Sequence, residues 1–277
     1  MTWSLGLWLL ALAFSQEKDD GRRGAVQLRF RERHPLGSMA EQSKRFRWKE
    51  DFVRKNDPDR GEYRVGDLAF QGLVPADYDG SRPYGLLVWI SPGSSGRVPA
   101  AWHEVLAKSK FLAVGADNSG NERLVWYRMG FALDAVHGMK KRYSIDDKRI
   151  VVAGFSGGGR IAGRLGFHYP DVFTGGMYLG GADFWSDIPT PSDPKRAWPA
   201  QFPKPADKLL EQTRKKSRHV LVVGERDMNR AFVKAMHDHI AAKEKFEHLK
   251  YLEMPDLGHV SPDGAWFEKA LRAVDVP

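Results

Sequence analysis

The chain has 277 residues, a formal net charge of +8 and no cysteine, which excludes disulfides, thiolate metal sites and cysteine nucleophiles. Its apolar fraction of 42% is slightly low for a globular protein but leaves residues enough for a sizeable core. The charge is uneven: between Gly21 and Arg60 stand twelve Lys/Arg against six Asp/Glu, so +6 of the +8 sits there. No aromatic platform for base stacking accompanies it, so a solvated basic linker is expected and a nucleic-acid partner is not.

In chain order, MTWSLGLWLLALAFSQEKDD holds an apolar run from Leu5 to Phe14. It is too short to span a bilayer but suits the core of an export signal, with Ala13 and Ser15 as small residues for cleavage, although no Lys or Arg precedes it. Residues 1–15 are therefore expected to be a signal peptide, 16–60 a basic, poorly structured extension, and 61–277 the folded domain. The protein is then secreted or periplasmic, with no integral membrane segment after cleavage. Initiation at Met39 would instead make it cytoplasmic.

The stretch GEYRVGDLAFQGLVPADYDGSRPYG reads as a hairpin or two edge strands, its β-type residues broken by Gly, Pro and Asp. From there strand-like and helix-like segments alternate. Leu86 to Ile90 is an apolar run followed by SPGSSG and a helical AAWHEVLAKSK, and Phe111 to Gly115 is a second buried run. Val125, Met129, Ala132, Val136, Met139 and Tyr143 recur at spacings of four and three, one face of a helix. Ile150 to Ala153 reads as a third buried strand and Gly158 to His168 as the next helix. Strands follow near Gly176 to Leu179, Val220 to Val223 and Leu249 to Met254, and a helix starts at Trp266. Short apolar strands alternating with helices predict an α/β fold: a mostly parallel central sheet covered on both faces, with its site beyond the carboxyl ends of the strands. The segment 182–216, rich in Pro, Asp and Trp, is too long for an ordinary connection and reads as an insertion. Trp185, Trp198 and Phe202 within it either line a substrate pocket or pack the excursion onto the domain.

Chemistry concentrates in RIVVAGFSGGGRIAGRL. Gly154-Phe155-Ser156-Gly157-Gly158 fits G-x-S-x-G, where a serine is held on a tight strand-to-helix turn. Such a corner costs about 1–3 kcal/mol of backbone strain and brings strand and helix so close that side chains at 154 and 158 would collide. The Gly157 amide, at the helix start, would then face an oxyanion formed on an attacked carbonyl. A serine needs a general base, usually a histidine steadied by a carboxylate. Downstream, Asp227 and then His259 each stand just past a strand, in the chain order Ser, Asp, His. Glu225, Asp256 and Asp183 compete for the carboxylate. Among other histidines, His103, His168, His237 and His239 lack the combination of final strand and Gly/Pro-bounded turn. A second oxyanion donor is expected from WISPGSSG, the amide of Ser94, with Gly93 permitting close approach.

On these motifs the chain, from about Leu86 onward, resembles the α/β-hydrolase superfamily, and most of all its polyhydroxybutyrate-depolymerase-like and feruloyl-esterase-like secreted serine esterases. The most specific part is YSIDDKRIVVAGFSGGGRIAGRLGFHYPDVFTGG, with GHVSPDGAWFEKAL similar to the closing histidine segment. The resemblance implies Ser156 as nucleophile, Asp227 as orienting acid and His259 as base, with no metal or organic cofactor and a small-molecule or polymer ester as substrate. One departure is Pro92-Gly93 where that group often has His-Gly. A serine peptidase of the same fold and a non-catalytic secreted binder with a decayed site are the competing expectations.

Overall fold

The computed structural model describes residues 19–49 and 63–275. The expected signal peptide, and residues 16–18 and 50–60 of the expected extension, lie outside them. A sheet forms the centre, built from β1 (Gly24–Leu28), β2 (Phe70–Val74), β3 (Tyr84–Ile90), β4 (Phe111–Ala116), β5 (Ile145–Phe155), β6 (Gly175–Leu179), β9 (Arg218–Gly224) and β10 (Leu249–Met254). Their order is β1-β2-β4-β3-β5-β6-β9-β10; β2 runs antiparallel to both β1 and β4, and every other pairing is parallel.

Burial on both faces explains the continuous apolar runs. Along β3 the side chains alternate: Leu86, Val88 and Ile90 enter one core, Leu87 and Trp89 the other. The first core is covered by α1 (Met39–Phe46), α3 (Val125–Arg142), α4 (Gly157–His168) and α6 (Arg230–His239), through Phe46, Met129, Ile161 and Val233 among others. The second is covered by α2 (His103–Lys108) and α7 (Gly264–Val274), where Trp102, just before α2, stacks on Phe267 with ring centroids 4.2 Å apart.

Two expectations are corrected. Residues 24–28 and 39–46, expected to be poorly structured, form β1 and α1. The strand pairs with β2 from Gly24↔Val74 to Leu28↔Phe70, and Phe46 is fully buried against His168 and Trp48. Arg29, Arg31, Lys44 and Arg47 are exposed while Val26, Leu28 and Phe30 supply apolar area, so the segment carries charge and core together. The expected hairpin before residue 80 is instead one strand, β2, between β1 and β4.

Segment 182–216 holds a two-stranded hairpin, β7 (Ile188–Thr190) with β8 (Asp193–Trp198), and α5 (Asp207–Lys215). Among the described residues no helix is long and apolar enough to cross a membrane.

The chain leaves β3 for β4 on one side, then returns to β5 on the other. That reversal opens a crevice outside the carboxyl ends of β3 and β5, the place where open parallel sheets hold their ligands.

Candidate active site

Ser156 stands at that crevice, between the end of β5 and the first residue of α4. Its backbone has φ 53° and ψ −120°, a left-handed conformation that a non-glycine residue adopts only at a cost of about 1–3 kcal/mol. The turn is held by Ser156 N–H donating to Leu179 O at 2.8 Å and by Arg160 N–H donating to Ser156 O at 3.1 Å. A side chain at 154 would sit 2.2 Å from the Gly158 carbonyl oxygen, and one at 158 only 1.9 Å from that of Ile90. Close packing of strand on helix therefore requires both glycines.

The ends of two further strands deliver partners to the same rim. His259, in the loop between β10 and α7, places Nε2 2.9 Å from Ser156 Oγ. Its Nδ1 lies 2.8 Å from Oδ2 of Asp227, which follows β9. An ionised carboxylate only accepts, so the imidazole donates Nδ1–H to Asp227 and Nε2 is left to accept from the serine hydroxyl. The other Asp227 oxygen accepts the Asn229 amide at 2.7 Å, and Asn229 Nδ2 donates to Gly180 O at 2.8 Å, so the carboxylate is fixed at both oxygens. The Asp227 side chain is 1% exposed, whereas that of His259 is 21% exposed and open to a ligand. The Phe155 ring backs the imidazole at 4.8 Å, and Trp102 Nε1 donates to Pro262 O at 2.8 Å, pinning the loop that carries His259.

The competing residues are engaged elsewhere. Asp183 accepts from Arg164 at 2.7 Å and Arg160 at 3.4 Å, Asp256 pairs with Arg226, and Glu225 accepts the Asp256 amide. His168 is buried, stacked on Phe46 and bonded to Pro203 O, and burial pulls its pKa down to about 3. His237 lies against Asp238 and His239 against Ser186.

Gly157 is the first residue of α4, so its amide has no acceptor within the helix. Ser94 is exposed on the loop after β3, its carbonyl accepting the Asn118 amide at 2.6 Å. That loop is braced by the Gly96 amide donating to Asp117 at 2.9 Å and by Arg128 and Asn121 donating to the carbonyls of Ser91 and Pro92.

Of the two roles open to Trp185, substrate contact or packing, the structure shows packing: it is 6% exposed, its ring lies 5.3 Å from Phe167, and its indole N–H donates to Glu244. Phe167 is ten residues along α4 from Gly157, about 15 Å of helix, which puts Trp185 at the far end from Ser156. Phe202 joins the same aromatic cluster and is buried with His168. Trp198 is half-buried at the end of β8, its ring 5.3 Å from that of Phe232 in α6.

Three apolar side chains stand exposed at this rim. Met228 and Val260 follow Asp227 and His259 directly, and Leu124 ends the loop after β4. Met228 and Val260 escape periodicity arguments because each is an isolated apolar residue in a loop, and Leu124 because it precedes the first turn of its helix. A surface groove of about 610 Å³ lies elsewhere, lined by His34, His137 and Asp147 among others. Asp147 lies eight residues before Phe155 on β5, about 26 Å of strand. Among the described residues no cluster of three or more His, Asp or Glu is placed to hold a metal.

No protein-family model and no curated protein sequence matches the chain. Solved structures do. The S-formylglutathione hydrolase of Staphylococcus aureus is 14% identical with a TM-score of 0.54, over 74% of this chain and 91% of that one. A serine-to-alanine variant of the feruloyl esterase module of Clostridium thermocellum, complexed with sinapinate, is 14% identical with a TM-score of 0.53, over 75% and 83%. The dipeptidyl peptidase 4 of Porphyromonas gingivalis is 16% identical with a TM-score of 0.51, over 74% of this chain and 33% of that one. A dipeptidyl aminopeptidase IV structure from Bacteroides ovatus is likewise matched over only 34% of its own length, so the chain spans about a third of such peptidases. These likenesses establish the α/β-hydrolase fold, a mostly parallel sheet with helices on both faces.

Proposed function

We propose that the chain is a serine carboxylic-ester hydrolase that works through an acyl-enzyme. The observation that carries this reading is the continuous relay Ser156 Oγ···Nε2 His259 Nδ1···Oδ2 Asp227, at 2.9 and 2.8 Å, drawn from three loops on one rim. His259 takes the Ser156 proton as the oxygen attacks the ester carbonyl, and Asp227 stabilises the imidazolium that results. The amides of Gly157 and Ser94 donate to the tetrahedral oxyanion, each such donor typically being worth about 3–4 kcal/mol. His259 then protonates the leaving alkoxide. Water attacks the acyl-enzyme with His259 again as base, and the carboxylic acid departs as the serine regains its proton.

Exposed Leu124, Met228 and Val260 around the relay favour an ester with an apolar acyl or alcohol part. The test is steady-state hydrolysis of p-nitrophenyl acetate beside a peptide p-nitroanilide. Wild type is expected to turn over the ester, and Ser156→Ala to lose at least about 1000-fold in kcat with its unfolding transition unchanged. Cleavage of the anilide in preference to the ester would assign the relay to a peptidase. A Ser156→Ala protein as active as wild type would remove the reading altogether.

A further inference from the structure

Arg128 in α3 is 4% exposed, yet none of its bonds goes to a carboxylate. Nε donates to Ser119 O at 2.8 Å, Nη2 to Ser91 O at 3.0 Å and Nη1 to Asn121 Oδ1 at 3.2 Å. Burial lowers its pKa to about 10, opposed only by the charge of Glu122. A buried guanidinium held by neutral oxygens alone is costly, and this one spends every bond on the two loops that flank Ser156, those after β3 and β4.

Asn121 is exposed, and its backbone N–H donates to Pro92 O at 2.9 Å. A guanidinium has donors only, so the carboxamide must turn its oxygen to Arg128. Nδ2 then points away from Arg128, and no hydrogen bond joins it to a described residue. The same carboxamide lies on Gly157: a Cβ there would be 2.0 Å from Asn121 Oδ1, 2.7 Å from Cγ and 2.9 Å from Nδ2. The residue after the nucleophile therefore lacks a side chain because Asn121 fills that space. It brings an N–H donor to within 2.9 Å of the Cβ position of the residue that follows the nucleophile.

Resting on the serine-hydrolase reading, we propose that the Asn121 carboxamide is a side-chain donor to the oxyanion formed at Ser156, and that Arg128 is the positioning residue that aligns it. The test measures the rate of Ser156 phosphonylation by a fluorophosphonate, kcat and KM for p-nitrophenyl acetate, and thermal unfolding, all on the full chain. Asn121→Ala is expected to slow phosphonylation and kcat about 10- to 100-fold while KM changes little. Asn121→Asp should slow both further, because a carboxylate repels the oxyanion. It should also unfold no earlier than wild type, since that carboxylate pairs with Arg128. A purely structural role for Asn121 predicts the reverse coupling, activity following stability. Arg128→Met should lose about 10-fold in kcat, with Arg128→Lys recovering part of it. Should Arg128→Met fail to fold, the exposed Asn121 variants decide. Wild-type rates for both Asn121 variants, with wild type labelled at Ser156, overturn the assignment alone. A folded wild type that resists the probe overturns the hydrolase reading and this assignment with it.

Discussion

Asp227 shows what a side chain's direction adds to its place in the chain. Glu225, Asp227 and Asp256 all stand just past strands on one rim, and the sequence cannot say which way each points. Only Asp227 is buried with one oxygen on His259 Nδ1 and the other on the Asn229 amide. Replacing it with Asn keeps the shape but removes the acceptor that sets the imidazole tautomer. Asp227→Asn is expected to lower kcat on p-nitrophenyl acetate by about 10,000-fold, with KM little changed. A loss below about 10-fold would assign the orienting role elsewhere. An aromatic such as Trp185 in a Pro-rich excursion could face a pocket or a core, and only packing against Phe167 and Phe184 decides for the core.

His168 makes a second residue-scale prediction. Burial holds its folded pKa at about 3 against an ordinary 6.5, so the folded state stays unprotonated where the unfolded chain takes up a proton. Stability is unaffected by this group above pH 6.5 and falls as pH drops from 6.5 towards 3, by about 1.4 kcal/mol per unit for that proton. His219, buried and pulled down to about 3 in the same way, adds to the slope. Denaturant unfolding of His168→Phe between pH 6 and 4 should show a pH dependence shallower by about one proton than wild type. An unchanged slope would mean that the imidazole is already charged in the fold.

At the scale of elements, strand existence was legible wherever both faces are buried. β3, β4, β9 and the second half of β5 appear in the sequence as apolar runs because helices cover each side. β1 does not, since GAVQL has only Val26 and Leu28 buried and is set among arginines. Its strand character comes from pairing with β2, which no local pattern displays. α6 shows no clear periodicity in the sequence although Phe232, Val233 and Met236 share one buried face, because its polar residues and histidines mask the spacing. The N-terminal segment is structural on this account. Phe30 lies 4.8 Å from Phe70 and fills the space over Gly138, where a Cβ would come within 2.1 Å of its ring. Phe30→Ala should cost about 3–5 kcal/mol in denaturant unfolding, as for a large aromatic removed from a core. A change below about 1 kcal/mol would return this segment to the status of a loose extension.

Over the whole molecule, function is a property of the rim. Six parallel strands end on one side of the sheet, and the reversal between β3 and β5 leaves room there for a ligand. Residues 156, 227 and 259 are far apart in sequence and meet because β5, β9 and β10 share a direction. The order Ser, Asp, His along alternating strands and helices pointed to this rim, with the carboxylate still open among Asp227, Glu225, Asp256 and Asp183. The support around it was not foreseeable: Arg128, Asn121 and Asn229 act through carbonyls and amides whose positions only the folded loops define. The central claim is that a hydroxyl held at φ 53° beside an imidazole is a nucleophile. Intact-mass and peptide analysis of the folded chain after reaction with a fluorophosphonate tests it most directly. The account predicts addition of one phosphonyl group, located on Ser156 and absent from Ser156→Ala. A folded chain that takes up no group, or takes it up at another residue, would contradict it.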